Sequence, residues 1–416
     1  MPEHKRIISW AFYDWANSAF AVVVLAGFFP IFFREYWAAG EGTRQITFYL
    51  GAGNSLASLA IVLLAPILGA IADQGGIRKK LLIAFSLFGM AMTAALFWIG
   101  PGDWSYAVAL FVFANIGWMG ANTFYDALLV DITHPDDYDR VSALGYGLGY
   151  LGGGLLFALC VAMTLAPQVF YLDNASQAVL LSFLLVALWW LVFSVPLWIH
   201  VCEPHRQHKL PLASLARRGF GQLIETFHHI RSLKPVVLFL LAYWLYIDGV
   251  DTVIRMAVDF GKARGLPTSS LISALLITQF VGFPAAIAFG YLARLTSARA
   301  GILAGLAVYI LITVWASRMH AAWEFYTLAT VVGLVQGGVQ SLSRSCYAGL
   351  IPADKSAEFF GFYNMLGKFS AIIGPLLVGW VGLITGSETW GLLSLLILFV
   401  SGAALLIRTP TVDNQG

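Results

Sequence analysis

Carboxylates, guanidinium groups and side-chain amides recur in this chain inside stretches otherwise apolar enough to cross a lipid bilayer. Asp248, Asp251, Arg255 and Asp259 follow one another at spacings of three, four and four, which places them on one face of a helix. Asp14, Asn17 and Ser18 share a face in the first apolar run; Asn115, Asn122 and Asp126 do so in the fourth, Gln336, Gln340 and Arg344 in the tenth, and Asn364 with Lys368 in the eleventh. A charge in the middle of a lipid-facing helix costs roughly 2.5–3.5 kcal/mol on insertion scales, so such groups face a cavity or one another. Two uses fit: a cavity that binds a polar solute, or ion pairs and amide bonds that hold helices together. Both stay open for Arg255, whose natural partners Asp251 and Asp259 lie four residues away on either side. Asp248 is seven residues from Arg255. That makes it the first choice for a carboxylate that takes up a proton or meets a cationic group of the cargo, with Asp14 the second. The expected mid-membrane contacts of a cargo are Asn122, Asp248 and Gln340, with Tyr125, Tyr246 and Tyr363 available either to stack on it or to pack helices.

A second constellation lies outside lipid. Gly69, Asp73, Gly76, Arg78, Lys79 and Lys80 form G-x-x-x-D-x-x-G-x-R-K-K in a short loop after the second apolar run. Glycines permit a tight turn, a carboxylate can cap a neighbouring helix start, and cations can meet a helix end. Together they make a breakable charge latch; the plain alternative is a basic loop on the cytoplasmic side.

These residues need long helices to position them. At 416 residues, with 59% apolar and 11% charged side chains and a mean hydropathy of +0.79, the chain is far from a soluble globular composition. Apolar runs predict twelve membrane helices at about 7–33, 48–72, 81–99, 104–130, 141–165, 179–199, 236–260, 269–292, 300–317, 322–346, 357–383 and 389–407. Most lysines and arginines fall in the loop set that shares a side with both termini, which makes that side cytoplasmic. The first run contains Asp14 and Asn17 and no small-residue cleavage site, so it reads as a retained helix and not a signal peptide. Residues 1–199 and 235–416 then form two six-helix bundles joined by a basic linker, 200–234, whose 217–230 stretch suits either a surface-lying amphipathic helix or a solvated connection.

The halves echo each other in order. GAIADQGGIRKK (69–80) is matched by GYLARLTSARAG (290–301), Pro135 and Gly145 by Pro352 and Gly361, and FYDWANSAF by LYIDGVDTVIR. Glycines 145, 149 and 153 recur every four residues on helix five, a spacing that lets helices approach closely. No G-x-x-x-x-G-K-[ST], H-E-x-x-H or G-x-S-x-G occurs, and Cys160, Cys202 and Cys346 stand singly. These readings point away from nucleotide hydrolysis, an enzyme, a metal, a cofactor or a nucleic-acid partner. A lipid-handling scaffold is the alternative from another class.

The Gly69–Lys80 loop resembles the signature loop of the major facilitator superfamily, with Ile77 where that family usually has a cation and Arg78 one place later. FYDWANSAFA (12–21), FYDALLVDI (124–132), DRVSALGYGLGYLGGGLL (139–156), YIDGVDTVIR (246–255) and the run from Gly337 to Leu377 resemble the superfamily's Unknown Major Facilitator branch. That branch is related to fungal vacuolar effluxers that release amino acids. The resemblance implies an all-α integral membrane fold of two pseudo-symmetric six-helix bundles, with helices one, four, seven and ten lining the cavity. It also implies a monomer in a prokaryotic cytoplasmic membrane, and secondary active transport of a small polar or amphipathic solute, amino acids or short peptides favoured; protons are the expected coupling ion through the Asp248 and Asp14 carboxylates. Export of drugs, sugars or cell-wall fragments is the alternative cargo.

Overall fold

Inside lipid a backbone amide finds no water, so each long apolar run must satisfy its own N–H and C=O groups, and a helix does this within one segment. The computed structural model, which describes residues 3–203, 221, 224, 233–263, 265–319 and 321–410, realises every expected run as helix. They are α1 (Glu3–Trp37), α2 (Thr43–Gly75), α3 (Arg78–Ala95), α4 (Trp104–Ala127), α5 (Tyr138–Leu165) and α6 (Ala175–His200) in the first half. The second half holds α7 (Lys234–Ala263), α8 (Thr268–Leu295), α9 (Ala298–Ala316), α10 (Ala322–Leu350), α11 (Ser356–Thr385) and α12 (Glu388–Arg408, with a break at Ser394). Most of the 200–234 linker, including its suggested amphipathic helix, lies outside the described residues.

Among the described residues eleven of these helices are apolar enough to cross a membrane. The exception is α10, where Gln336, Gln340, Ser341, Ser343, Arg344 and Ser345 gather toward one end. Several helices run longer than expected; α1 begins at Glu3, because charged side chains at a helix end can reach water while their backbone stays helical. Within α1 the residues Phe20–Phe28 and Phe33–Trp37 widen to π-helix on either side of Pro30. Elsewhere local chemistry stops the helices: Gly76 at φ +58° ends α2, the Asn174 side chain accepts from Gln177 N at the start of α6, and the Ser297 hydroxyl does the same for Ala300 N at α9.

The repeat is visible in the backbone. A single 3-10 turn beside a proline precedes both α5 (Pro135–Asp137) and α11 (Ala353–Lys355, after Pro352). Helix α5 packs on two neighbours at once. A methyl at Gly145 or Gly149 would fall 2.9 Å from Asp14 Oδ2 or 2.6 Å from Ser18 Oγ, both on α1, whereas at Gly147 it would meet Ile287 of α8 at 2.9 Å. The halves therefore touch along α5 with α8, and again along α2 with α11, where Gly69 and Gly361 abut the backbone of Ala357 and Ala65.

Candidate functional site

Arg344 lies near the end of α10 on the same side as the N-terminus and is 1% exposed. A buried guanidinium must spend all its donors, and here it spends them on the other half of the molecule. Nε donates to Ser142 Oγ at 2.9 Å and Nη2 to Ser142 O at 2.9 Å; Nη1 donates to Asp126 Oδ1 at 3.1 Å and lies 3.4 Å from Asp14 Oδ2. Three aromatic faces surround the same carbon: Tyr146 at 4.4 Å, Trp10 at 4.8 Å and Tyr125 at 5.3 Å. The supports are themselves tied down. Tyr125 Oη donates to Asp14 Oδ2 at 3.0 Å, Trp10 Nε1 to Tyr125 O at 3.0 Å with the rings stacked, and Asn364 Nδ2 of α11 to Asp126 Oδ2 at 3.2 Å. The cation thus joins α1, α4 and α5 of the first half to its own α10, and Asn364 brings α11 to the same cluster through Asp126.

A second seam of bonds lies at the same end. Asp73, 1% exposed, accepts from Arg78 Nε at 2.7 Å and reaches across to α11, accepting Ala357 N at 3.1 Å and Glu358 N at 2.8 Å. Those N–H groups belong to the first turn of α11, where an unsatisfied donor and the helix dipole both favour an anion. Arg78 also bonds Asp131 Oδ2 at 2.7 Å and the carbonyls of Ala353 and Asp354 at 3.2 and 3.3 Å. The cation arriving one place late is accommodated because Ile77 occupies the N-cap and Arg78 opens α3, turned inward. Lys79 faces a different partner, its Nζ donating to Val201 O at 2.7 Å and its backbone N to Glu203 Oε1 at 2.6 Å. Burial pushes the Glu203 carboxyl above its ordinary range, partly offset by that backbone N–H. Ser142 with Ser341 O, Ser356 with Ala127 O, and Ser345 with Asp139 add further bonds between the halves.

The remaining candidates lie elsewhere. Asn17 and Asn122 bond each other at 2.5 Å within the first half. Asp248, 1% exposed, accepts the Gly374 N–H at 2.9–3.0 Å, beside Pro375 in α11, with Thr252 Oγ1 at 3.5 Å. Asp251 and Gln340 are half-buried; the side chains of Arg255 and Asp259 lie outside the described residues. Gln336 borders a largely apolar cavity of about 120 Å³ inside the second half, with Thr278, Leu328 and Phe325. Lys368 stands 5.1 Å over the Trp118 ring. Tyr246 bonds Ser343 at 2.6 Å and Tyr363 stacks on Tyr243. Sequence reasoning passed over Trp10, Ser142 and Tyr146. The spacing on helix five drew attention to its glycines, and nothing local marks Ser142 as a ligand for a cation 202 residues away.

The family model "Vacuole effluxer Atg22 like" matches residues 36–413. The chain is 39% identical to the uncharacterized MFS-type transporter YxiO of Bacillus subtilis (strain 168), over 98% of this chain and 95% of that one. It is 24% identical to autophagy-related protein 22 of Coccidioides immitis (strain RS), over 97% of this chain and 86% of that one. Among solved structures it superposes on the proton:xylose symporter XylE with a TM-score of 0.73 at 13% identity, over 98% and 96% of the two chains.

Proposed function

This chain belongs to the Atg22-like family of major facilitator transporters, and from that premise we propose that it is a secondary active transporter for amino acids or short peptides, coupled to protons. It is a multi-pass membrane protein of the major facilitator fold, with a small-molecule cargo and no enzymatic role. The proposed halves are residues 1–199 and 235–416, with 200–234 as the cytoplasmic connection. They rock about a central cavity so that it opens to one side at a time.

The observation that carries this reading is the buried Arg344 network, because a charge network that ties five helices from two halves at one end suits a gate and not a lipid-facing anchor. In this state the gate on the N-terminal side is shut. Asp73 and Arg78 set the balance between states as a latch, without touching cargo. Amino acids and peptides are favoured through kinship with a vacuole effluxer family. Proton coupling falls to Asp248 first and Asp14 second. Asp248 holds a backbone N–H next to Pro375, and protonation would weaken that hold on α11.

Reconstituted vesicles test the reading. An imposed pH gradient should drive accumulation of one or more labelled amino acids or dipeptides from a mixed panel, and Asp248→Asn should abolish accumulation while sparing cargo exchange. No gradient-driven movement of any panel member in either membrane orientation sinks the cargo assignment. Unaltered accumulation in Asp248→Asn moves the coupling elsewhere.

A further inference from the structure

The Arg344 guanidinium belongs to the second half, yet nearly everything that holds it belongs to the first. Take the first half alone: Asp14 and Asp126, each 8% exposed, the carbonyl and hydroxyl of Ser142, and the faces of Trp10, Tyr125 and Tyr146 converge on one guanidinium-sized space. Two carboxylates and two further acceptors select a positive charge. Three aromatic faces within 5.3 Å favour an organic cation, a guanidinium above an ammonium, over a small metal ion. When the halves part at this end, Arg344 leaves with its own helix and the two carboxylates lose their counter-charge, a costly state in a partly dry site.

We infer that the vacated nest is a binding site for the cationic headgroup of the cargo, a guanidinium or ammonium, and that Arg344 is its built-in competitor. The inference rests on the alternating-access reading above. It narrows the cargo to molecules that carry such a group, free or as the amino end of a zwitterion. It also assigns roles: Asp126 and Asp14 are counter-charges, Ser142 supplies the directional acceptors, and Trp10, Tyr125 and Tyr146 form the walls. Cation binding and closure of this gate exclude each other, so each weakens the other by the same factor. A cation therefore binds only the fraction of molecules whose gate is open, and whatever enlarges that fraction raises the apparent affinity in proportion.

The experiment measures binding of agmatine and of methylguanidinium to the purified chain in detergent at low salt, with acetate as the anionic control. Wild type is compared with Asp73→Asn, which releases the latch without touching the nest. Agmatine should bind Asp73→Asn about tenfold more tightly than wild type, and adding Asp126→Asn should remove most of that binding. Arg344→Ala, if it folds, should take methylguanidinium with no help from Asp73→Asn; the wild-type comparison stands without it. A cysteine placed at the gate end reports opening independently. Raised labelling in Asp73→Asn with no gain in agmatine binding overturns the cation site alone, as does binding that survives Asp126→Asn or prefers acetate. Unchanged labelling in Asp73→Asn overturns the gate reading and this inference with it.

Discussion

The loop between α2 and α3 and its repeat between α8 and α9 occupy equivalent places, yet they fasten the halves by different physics. In the first, Asp73 and Arg78 are nearly sealed from solvent, with side chains 1% and 6% exposed, and the carboxylate caps the first turn of α11. In the second, the position matching Asp73 is Arg294, which meets Asp137 Oδ1 at 2.9 Å just before α5, with the two side chains 46% and 27% exposed. Arg140 shares that carboxylate at 3.1 Å. A buried anion on a helix start is directional and sheltered from ions, whereas an exposed ion pair is worth little and is screened by salt. On the proposed reading the first loop is the latch and the second a loose guide, although they stand at matching places in the two halves.

The sharpest way to break this contrast is to remove each cation. Arg78→Ala removes the cation beside buried Asp73 and the bond to half-buried Asp131, and should cost about 3–5 kcal/mol of stability or of gate closure. Arg294→Ala should cost about 1 kcal/mol or less. Thermal unfolding in detergent and labelling of a cysteine at the gate end read the two effects, and equal losses would erase the distinction.

The glycines sharpen it next. A methyl at Gly69 would overlap Ala357 O and sit 2.8 Å from Glu358 Cα, main-chain atoms of a helix start that cannot step aside. At Gly290 it would meet the Ala143 methyl at 2.5 Å. Gly69→Ala should therefore shift the halves apart by about 1–3 kcal/mol. Truncating the clashing partner with Ala143→Gly should rescue Gly290→Ala, while Gly69→Ala has no such partner to truncate.

Salt separates the two loops more gently. Raising ionic strength from about 0.05 to 0.5 M shortens the screening length several-fold. It should abolish the difference between wild type and Arg294→Ala while leaving that between wild type and Arg78→Ala nearly intact.

The smallest expected effect is a pH dependence from Glu203, which follows α6 and accepts the Lys79 N–H beside the first loop. Burial raises the folded-state titration of Glu203 above its unfolded value, so the folded state binds the proton more tightly. The stability tied to this group is fully present below the ordinary carboxylate range and is lost as pH rises through the raised value. Glu203→Gln should flatten the part of the melting-temperature profile that lies above the ordinary carboxylate range; an unaltered profile assigns the dependence to another group.

Much of this molecule was legible from residue order, since lipid allows few solutions. Long apolar runs had to be helices, and rare intramembrane charges had to find water or partners. The spacing Gly69, Asp73, Gly76 and Arg78 marked a carboxylate that could cap a helix start, as Asp73 does, and the resemblance of Gly337–Leu377 to one transporter branch carried the family. Which helix Asp73 would cap was not legible, for the N–H groups that it meets lie 284 and 285 residues on. Nor was the convergence of Asp14, Asp126 and Ser142 on Arg344, spread over 330 residues of chain. The stripes on α1, α4 and α10 looked alike as helical spacings, because periodicity tells which face a group shares and not what stands opposite. Asp248 makes the same point: its place on α7 was readable, while its bond to a backbone N–H beside Pro375 came from how α7 and α11 pack. Local order decided the helices and their polar faces; only the docking of one half on the other decided which charges meet, because those contacts depend on rigid-body geometry that no short stretch of chain encodes.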